Sequence, residues 1–392
     1  MSALRAIMDK MQYKNTTHPP LGQNIFHDEF VTSVYITPPT TDEKVSTMPD
    51  GLRMVLGIFL FVVFAVGIAG NLTVIWVFSR TRSLRTPHNV LIINLACSDL
   101  LMVFSMFPVM FISIAKNKWI MGEIGCDVYA FLGSLFGIAS LCILTAIAYD
   151  RRCAICTTTD GSGTGSYRRV FFLTVVAWVY SFLWSVLPLS GKGAFVLEGY
   201  KLNCSFDYVT QTLENKLYVG FLFAGAFFIP MTIIMYSYTR VVLAVKQSRQ
   251  SLLDMSKVKT TLVVRTFKIH KRQVKNFETA KIGMKLITMF VLSWGPYACV
   301  AFIGQFVSPT LVFPIIQLIP VVMAKSASVW NPIVYAISHR RFKRELRGIF
   351  LEKCCQGMPT VDETSATGSY TGEFFNDFND LNCNDSKAST AV

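Results

Sequence analysis

The stretch MVLGIFLFVVFAVGIAGNLTVIWVF, residues 54–78, decides the fold class. Its 25 residues carry no charge. As an α-helix it extends about 37 Å at 1.5 Å per residue, enough to cross a bilayer with some tilt. Lipid offers no partner to exposed backbone N–H and C=O groups, so such a stretch crosses as a helix. Six more apolar runs of spanning length follow, at residues 89–115, 123–149, 170–189, 218–242, 282–306 and 311–337. An all-α membrane protein with a seven-helix bundle is expected. The alternative, a large soluble helical protein with buried helices, fits seven such runs poorly.

Composition agrees. Of 392 residues, 52% are hydrophobic and 16% charged, against roughly a quarter charged in soluble domains. Aromatics reach 13%, and mean hydropathy is +0.44. That balance excludes disorder, collagen and coiled coil, and argues against a soluble enzyme. No internal repeat suggests a solenoid.

The formal net charge of +13 first suggests nucleic acid, but the basic residues lie in particular loops. Arg80, Arg82 and Arg85 follow the first run; Arg151, Arg152, Arg168 and Arg169 follow the third. The largest block, from Arg240 to Lys275, separates the fifth and sixth runs, and Arg340, Arg341, Lys343, Arg344 and Arg347 open the tail. Only Lys116 and Lys118 follow the second run, and no charge separates the sixth from the seventh. Positive residues stay inside, so the N-terminus is expected outside. Contact with anionic lipids explains most of the basic block, and no nucleic-acid partner is needed.

The expected organisation is an extracellular tail (1–51), the bundle (52–338), an amphipathic cytoplasmic helix (339–353) and a disordered tail (354–392). The first 50 residues hold no apolar core of a cleavable signal peptide, so the first span is expected to serve as the targeting signal. Asn15-Thr16-Thr17 is a glycosylation sequon on the outer side; Asn203-Cys204-Ser205 is a weaker one, and Asn71-Leu72-Thr73 lies mid-span. The ten cysteines are not read as a zinc site. Cys126 and Cys204 alone lie clearly on the oxidising side, which favours a bridge over two free thiols. Cys354 and Cys355, just past the amphipathic stretch, are candidates for palmitoylation.

Ionisable groups inside a membrane are functional candidates by default. Asp99 stands midway along the second run, with Asn71 and Asn331 at comparable depth for an interhelical polar network; structural glue is the plainer reading. Lys325 lies about 14 residues into the seventh run, too deep for its ammonium to reach water comfortably. Two readings stay open. Giving up its proton would make it an amine nucleophile suited to an aldehyde; the alternative is an ion pair with a carboxylate such as Asp99.

The chain resembles the rhodopsin-like G-protein-coupled receptors. Gly70-Asn71, Leu95-Ala96-Cys97-Ser98-Asp99, Cys126, Asp150-Arg151, Trp178, Pro230, Tyr238, Ser293-Trp294-Gly295-Pro296-Tyr297 and Asn331-Pro332-Ile333-Val334-Tyr335 occur in that family's order. Within it the chain resembles the opsins, because Lys325 stands six residues before Asn331. The resemblance implies retinal (11-cis or a variant) held as a protonated Schiff base on Lys325. It implies Glu198, six residues before Cys204, as counterion, since Tyr129 occupies the other position the family uses. Tyr129 would be its hydrogen-bonding neighbour. Trp294 and Tyr297 would line the polyene, and Phe223 and Phe227 would reach the ionone ring, although plain packing explains such an aromatic pair equally well. Asp99, Asn71, Asp150, Arg151, Tyr238, Asn331, Pro332 and Tyr335 would carry the switch.

The expected function is a light-activated receptor, not an enzyme, in a plasma or photoreceptor membrane. Its partners would be a heterotrimeric G protein, receptor kinase and arrestin, with a PDZ domain for Thr390-Ala391-Val392. Sequence flavour around residues 132–137 and 83–87 resembles arthropod opsins and suggests Gq. A retinal photoisomerase and a light-independent chemoreceptor are the rivals. Three departures stand out: Arg152 where the family usually has Tyr, Asn276 in place of the lock glutamate with Glu278 two residues displaced, and His339-Arg340-Arg341 after the seventh run.

Overall fold

The computed structural model describes residues 47–156, 166–255 and 263–356. Asn15, the loop 157–165 and the tail from 357 lie outside the described residues. So do the side chains of 248–249, 251–276 and 349–356, including Asn276, Cys354 and Cys355.

Residues up to Leu346 form one compact unit. Its helices are α1 (Asp50–Arg80), α2 (Pro87–Lys116), α3 (Gly122–Cys156) and α4 (Tyr167–Val186). Helix α5 is built from Leu213–Leu222, a π turn at Phe223–Phe228 and Ile229–Met255. Helix α6 runs Val263–Phe302 with a π turn at Ile303–Val307, and α7 is Pro314–Ser338. Helix α8, Arg340–Gln356, begins in this unit; its end is the described part of a second unit from Arg347.

Among the described residues, α1 to α6 each contain a segment long and apolar enough to cross a membrane. At 25 residues α7 is also long enough, but Gln317, Lys325 and Asn331 and two internal prolines make it less apolar. It completes the bundle against α6 and α1. Helix α3 is the central post, with 61% of its apolar window buried against 22% for α1 and α4, whose bare apolar faces suit lipid.

The apolar runs mark the middles of these helices and not their ends. The basic stretch expected as a loop from Arg240 to Lys275 is helical to Met255 and again from Val263. The α8 helix extends through Cys354 and Cys355, which were expected beyond it. Hydropathy records what lipid requires of a helix; it is silent once the same helix enters water.

Local signals set several boundaries. Helix α2 opens on Pro87, whose missing N–H costs nothing in the first turn. It closes on Asn117 in the left-handed region (φ 50°), with backbone N–H groups returning to the last carbonyls. The π turn of α5 frees carbonyls, and Tyr180 of α4 donates its hydroxyl to one of them, Gly225 O, at 3.0 Å. Gly70 permits the close approach of α1 to α7: a Cβ there would stand 2.8 Å from the Pro332 ring.

Between α4 and α5 the chain forms an antiparallel hairpin, β1 (Phe195–Glu198) and β2 (Asn203–Phe206), pairing Leu197 with Cys204 and Glu198 with Asn203. Gly199 and Lys201 adopt positive φ to make its turn. The Cys126–Cys204 disulfide, as expected, pins β2 to the head of α3.

Candidate functional site

A cavity beneath the hairpin encloses about 1130 Å³ of empty space, its mouth included. The walls come from α3, α5, α6 and α7, with Phe223, Phe227, Phe290 and Trp294 supplying much of the apolar surface. The α3 wall is thin because Gly133 and Gly137 have no side chain; a Cβ on Gly137 would come within 2.7 Å of the Trp294 ring.

One amine and one carboxylate line this cavity. Lys325, from α7, is only 8% exposed, and Glu198, from the end of β1, only 7%. No ion pair within 4.0 Å joins Lys325 to either Glu198 or Asp99. The Lys325 Nζ stands 5.1 Å from the centre of the Tyr129 ring, within cation–π range. The reading that pairs Lys325 with Asp99 therefore loses its geometric basis.

Hydrogen bonds enclose the carboxylate of Glu198. Asn203 Nδ2 donates to Oε1 at 2.6 Å, and Tyr208 and Tyr297 donate to Oε2 at 3.0 and 3.3 Å. Ser205 and Tyr297 share a further short hydrogen bond. Burial pushes the Glu198 carboxyl above its ordinary range, while the facing Lys325 and the three donors pull it back. Tyr129 is not a direct partner: its hydroxyl donates to Asn203 Oδ1 at 2.8 Å and reaches Glu198 only through that amide. Asn203 is therefore poorly placed as a sequon, since its buried amide is committed on both sides.

Asn203, Ser205 and Tyr208 were not among the expected site residues. Only the hairpin register brings Asn203 opposite Glu198, and nothing in the local sequence announces a hydroxyl returning from four residues past the disulfide.

Beneath Trp294 lies a smaller cavity that also contains Asp99, Ser140 and Asn331. Asn331 Nδ2 donates to Asp99 Oδ2 at 2.6 Å and Ser140 Oγ to Oδ1 at 3.1 Å. Asn71 stands outside this pair and donates instead to Gly67 O and Ser328 O, both at 2.9 Å, tying α1 to α7. Pro332 receives Gly70 as described above.

At the end of the bundle opposite the hairpin, Asp150 is fully buried and meets Arg151 at 2.5 Å. Tyr238 and Tyr335 are buried, and neither hydroxyl has a hydrogen-bond partner in the structure. Glu278 is engaged locally by Lys281 at 2.8 Å. Cys153 and Cys156 stand in a C-x-x-C spacing that the cysteine reading passed over; among the described residues they join no cluster of candidate metal ligands.

The donor set fits a long apolar aldehyde: one buried amine, aromatic walls and one buried carboxylate held ready on the other side. Comparisons with known proteins point the same way. The family described as "7 transmembrane receptor (rhodopsin family)" matches residues 70–335. A Gq-coupled rhodopsin of Mizuhopecten yessoensis is 36% identical over 83% of this chain and 64% of its own length. The melanopsin of Phodopus sungorus is 39% identical over 78% of this chain and 63% of its own. The chain thus spans just under two thirds of those two relatives. Rhodopsin of Sepia officinalis is 36% identical over 80% of this chain and 68% of its own length. The crystal structure of squid rhodopsin superposes with a TM-score of 0.73 at 33% identity, covering 83% of this chain and 95% of that one. The chain is thus a multi-pass membrane protein of the rhodopsin-type seven-transmembrane receptor family and, within it, an opsin.

Proposed function

We propose that the protein is a light-activated receptor that holds retinal on Lys325 and activates a heterotrimeric G protein, of the Gq type. The observation that carries this reading is a buried lysine sharing an apolar, aromatic-walled cavity with a buried, hydrogen-bonded carboxylate. Bound retinal supplies the light-absorbing polyene whose isomerisation changes its shape.

The chain's own residues do the rest. Lys325 provides the attachment nitrogen, and Glu198 offers negative charge to a cation there across a low-dielectric space. Asn203, Tyr208 and Tyr297 keep that carboxylate oriented and partnered. Trp294 belongs to both cavities, so a changed load on its ring reaches the Asp99–Asn331 pair directly. Tyr238 lies against α6: a Cβ on Gly283 would stand 2.3 Å from its hydroxyl. Outward movement of α6 uncovers Tyr238, and the unpartnered hydroxyls of Tyr238 and Tyr335 give Arg151 a destination when it leaves Asp150. Dark and lit states are then two populations that the ligand biases.

The basic loops support an orientation with the N-terminus outside, in a plasma or photoreceptor membrane. The Ser/Thr-bearing tail suits a receptor kinase and arrestin, its last three residues a PDZ domain, and the cysteines at the end of α8 a lipid anchor.

Reconstitution with 11-cis-retinal followed by G-protein nucleotide exchange in dark and light tests the reading. Exchange should rise on illumination. A visible band that isomerises without driving exchange would favour a photoisomerase, and failure to form any band would favour a light-independent receptor.

A further inference from the structure

The Asp150 carboxylate has more partners than a two-residue lock needs. Its Oδ2 accepts from Arg151 at 2.5 Å and stands 3.4 Å from Nδ1 of His88, while Oδ1 accepts from Arg169 at 2.9 Å. Three helices meet here: His88 is in the first turn of α2, Asp150 and Arg151 are in α3, and Arg169 is in α4. Asp150 has no exposure and His88 is 8% exposed, while the Arg169 side chain is 30% exposed, so the carboxylate itself meets protein groups and not water. Two further ionisable groups face the cluster: His339, between α7 and α8, interacts electrostatically with His88, and Tyr238 of α5 with Arg151.

Charge counting gives the consequence. With both arginines charged and Asp150 ionised, the resting cluster has one positive charge in excess. When Arg151 leaves, Asp150 and Arg169 are left balanced, with His88 beside them. Without Arg169, the same departure would strand a buried carboxylate, whose usual escape is to take up a proton.

We propose that Arg169 and His88 are positioning residues that stay with Asp150 when Arg151 departs, so that this receptor switches without protonating Asp150. The proposal rests on the receptor reading above and gives it a regulatory feature: output insensitive to cytoplasmic pH. Neither residue leaves the cluster during the switch, and both lie on helices away from α6.

Light-driven nucleotide exchange by the full-length receptor, reconstituted with 11-cis-retinal, tests this when each variant is compared with wild type at the same pH. From about pH 6 to about pH 8 the activity of Arg169→Gln relative to wild type should fall at least about fivefold, as a one-proton requirement demands. Arg169→Lys should restore a flat ratio, and Asp150→Asn should remove the pH dependence from Arg169→Gln. His88→Gln should show the same trend at about twofold, and it decides the matter if Arg169→Gln forms no dark absorption band. A flat ratio for the variants, or an equal fall in the Asp150→Asn background, overturns the proposal. Absence of light-driven exchange by wild type at every pH instead overturns the receptor reading itself.

Discussion

At the hairpin end of the bundle, Glu198 is buried with both carboxylate oxygens hydrogen-bonded, by Asn203, Tyr208 and Tyr297, and Tyr129 and Ser205 stand one bond further. At the opposite end, the buried hydroxyls of Ser237, Tyr238 and Tyr335 and the Nε atoms of Arg151 and Arg169 have no such partner. Leaving a buried polar group unpaired costs about 1–3 kcal/mol, so breaking contacts forfeits more at the hairpin end than at the opposite end. The fully paired end is built to hold a charge still. The under-paired end is built to move.

Five substitutions break or sharpen that contrast. The largest effect is expected from Lys325→Ala, which removes the only buried amine of the cavity among the described residues and should abolish the retinal absorption band. Glu198→Gln comes next: it keeps shape but removes the facing charge, and should blue-shift the band of a neutral-pH sample. An unchanged spectrum and acid titration would rule Glu198 out. Cys126→Ser frees the hairpin from α3 and should destabilise the dark receptor by about 2–4 kcal/mol, read as faster thermal loss of the band. Tyr208→Phe deletes one donor to Glu198 and should cost about 1 kcal/mol in the same assay. Tyr335→Phe, at the opposite end, should leave dark stability unchanged or raise it by up to about 1 kcal/mol, because that hydroxyl has no partner to lose.

The contrast also explains what could be read without a structure. Residues 54–78 and their six counterparts were legible because lipid imposes one length and one chemistry on every crossing helix. Lys325 and Asp99 were legible because ionisable groups are costly there. The Cys126–Cys204 bridge followed from compartment alone. Asn203 forms the weaker sequon, and its three residues carry no information about the burial of its amide. Tyr208 reaches Glu198, and Arg169 reaches Asp150, through tertiary geometry with no local pattern; His88 looks like an ordinary first-turn residue until α3 is placed beside it. The π turns of α5 and α6 likewise have no periodicity of their own, and only the carbonyl taken by Tyr180 shows why one is tolerated.

Light-minus-dark hydrogen exchange on the retinal-reconstituted receptor tests the central claim most directly, since it reads both ends of the bundle in one sample. Amides of the β1–β2 hairpin should keep their dark protection after illumination, while those at the ends of α5 and α6 away from the hairpin should exchange faster. Loss of protection in the hairpin with an unchanged opposite end would contradict the account.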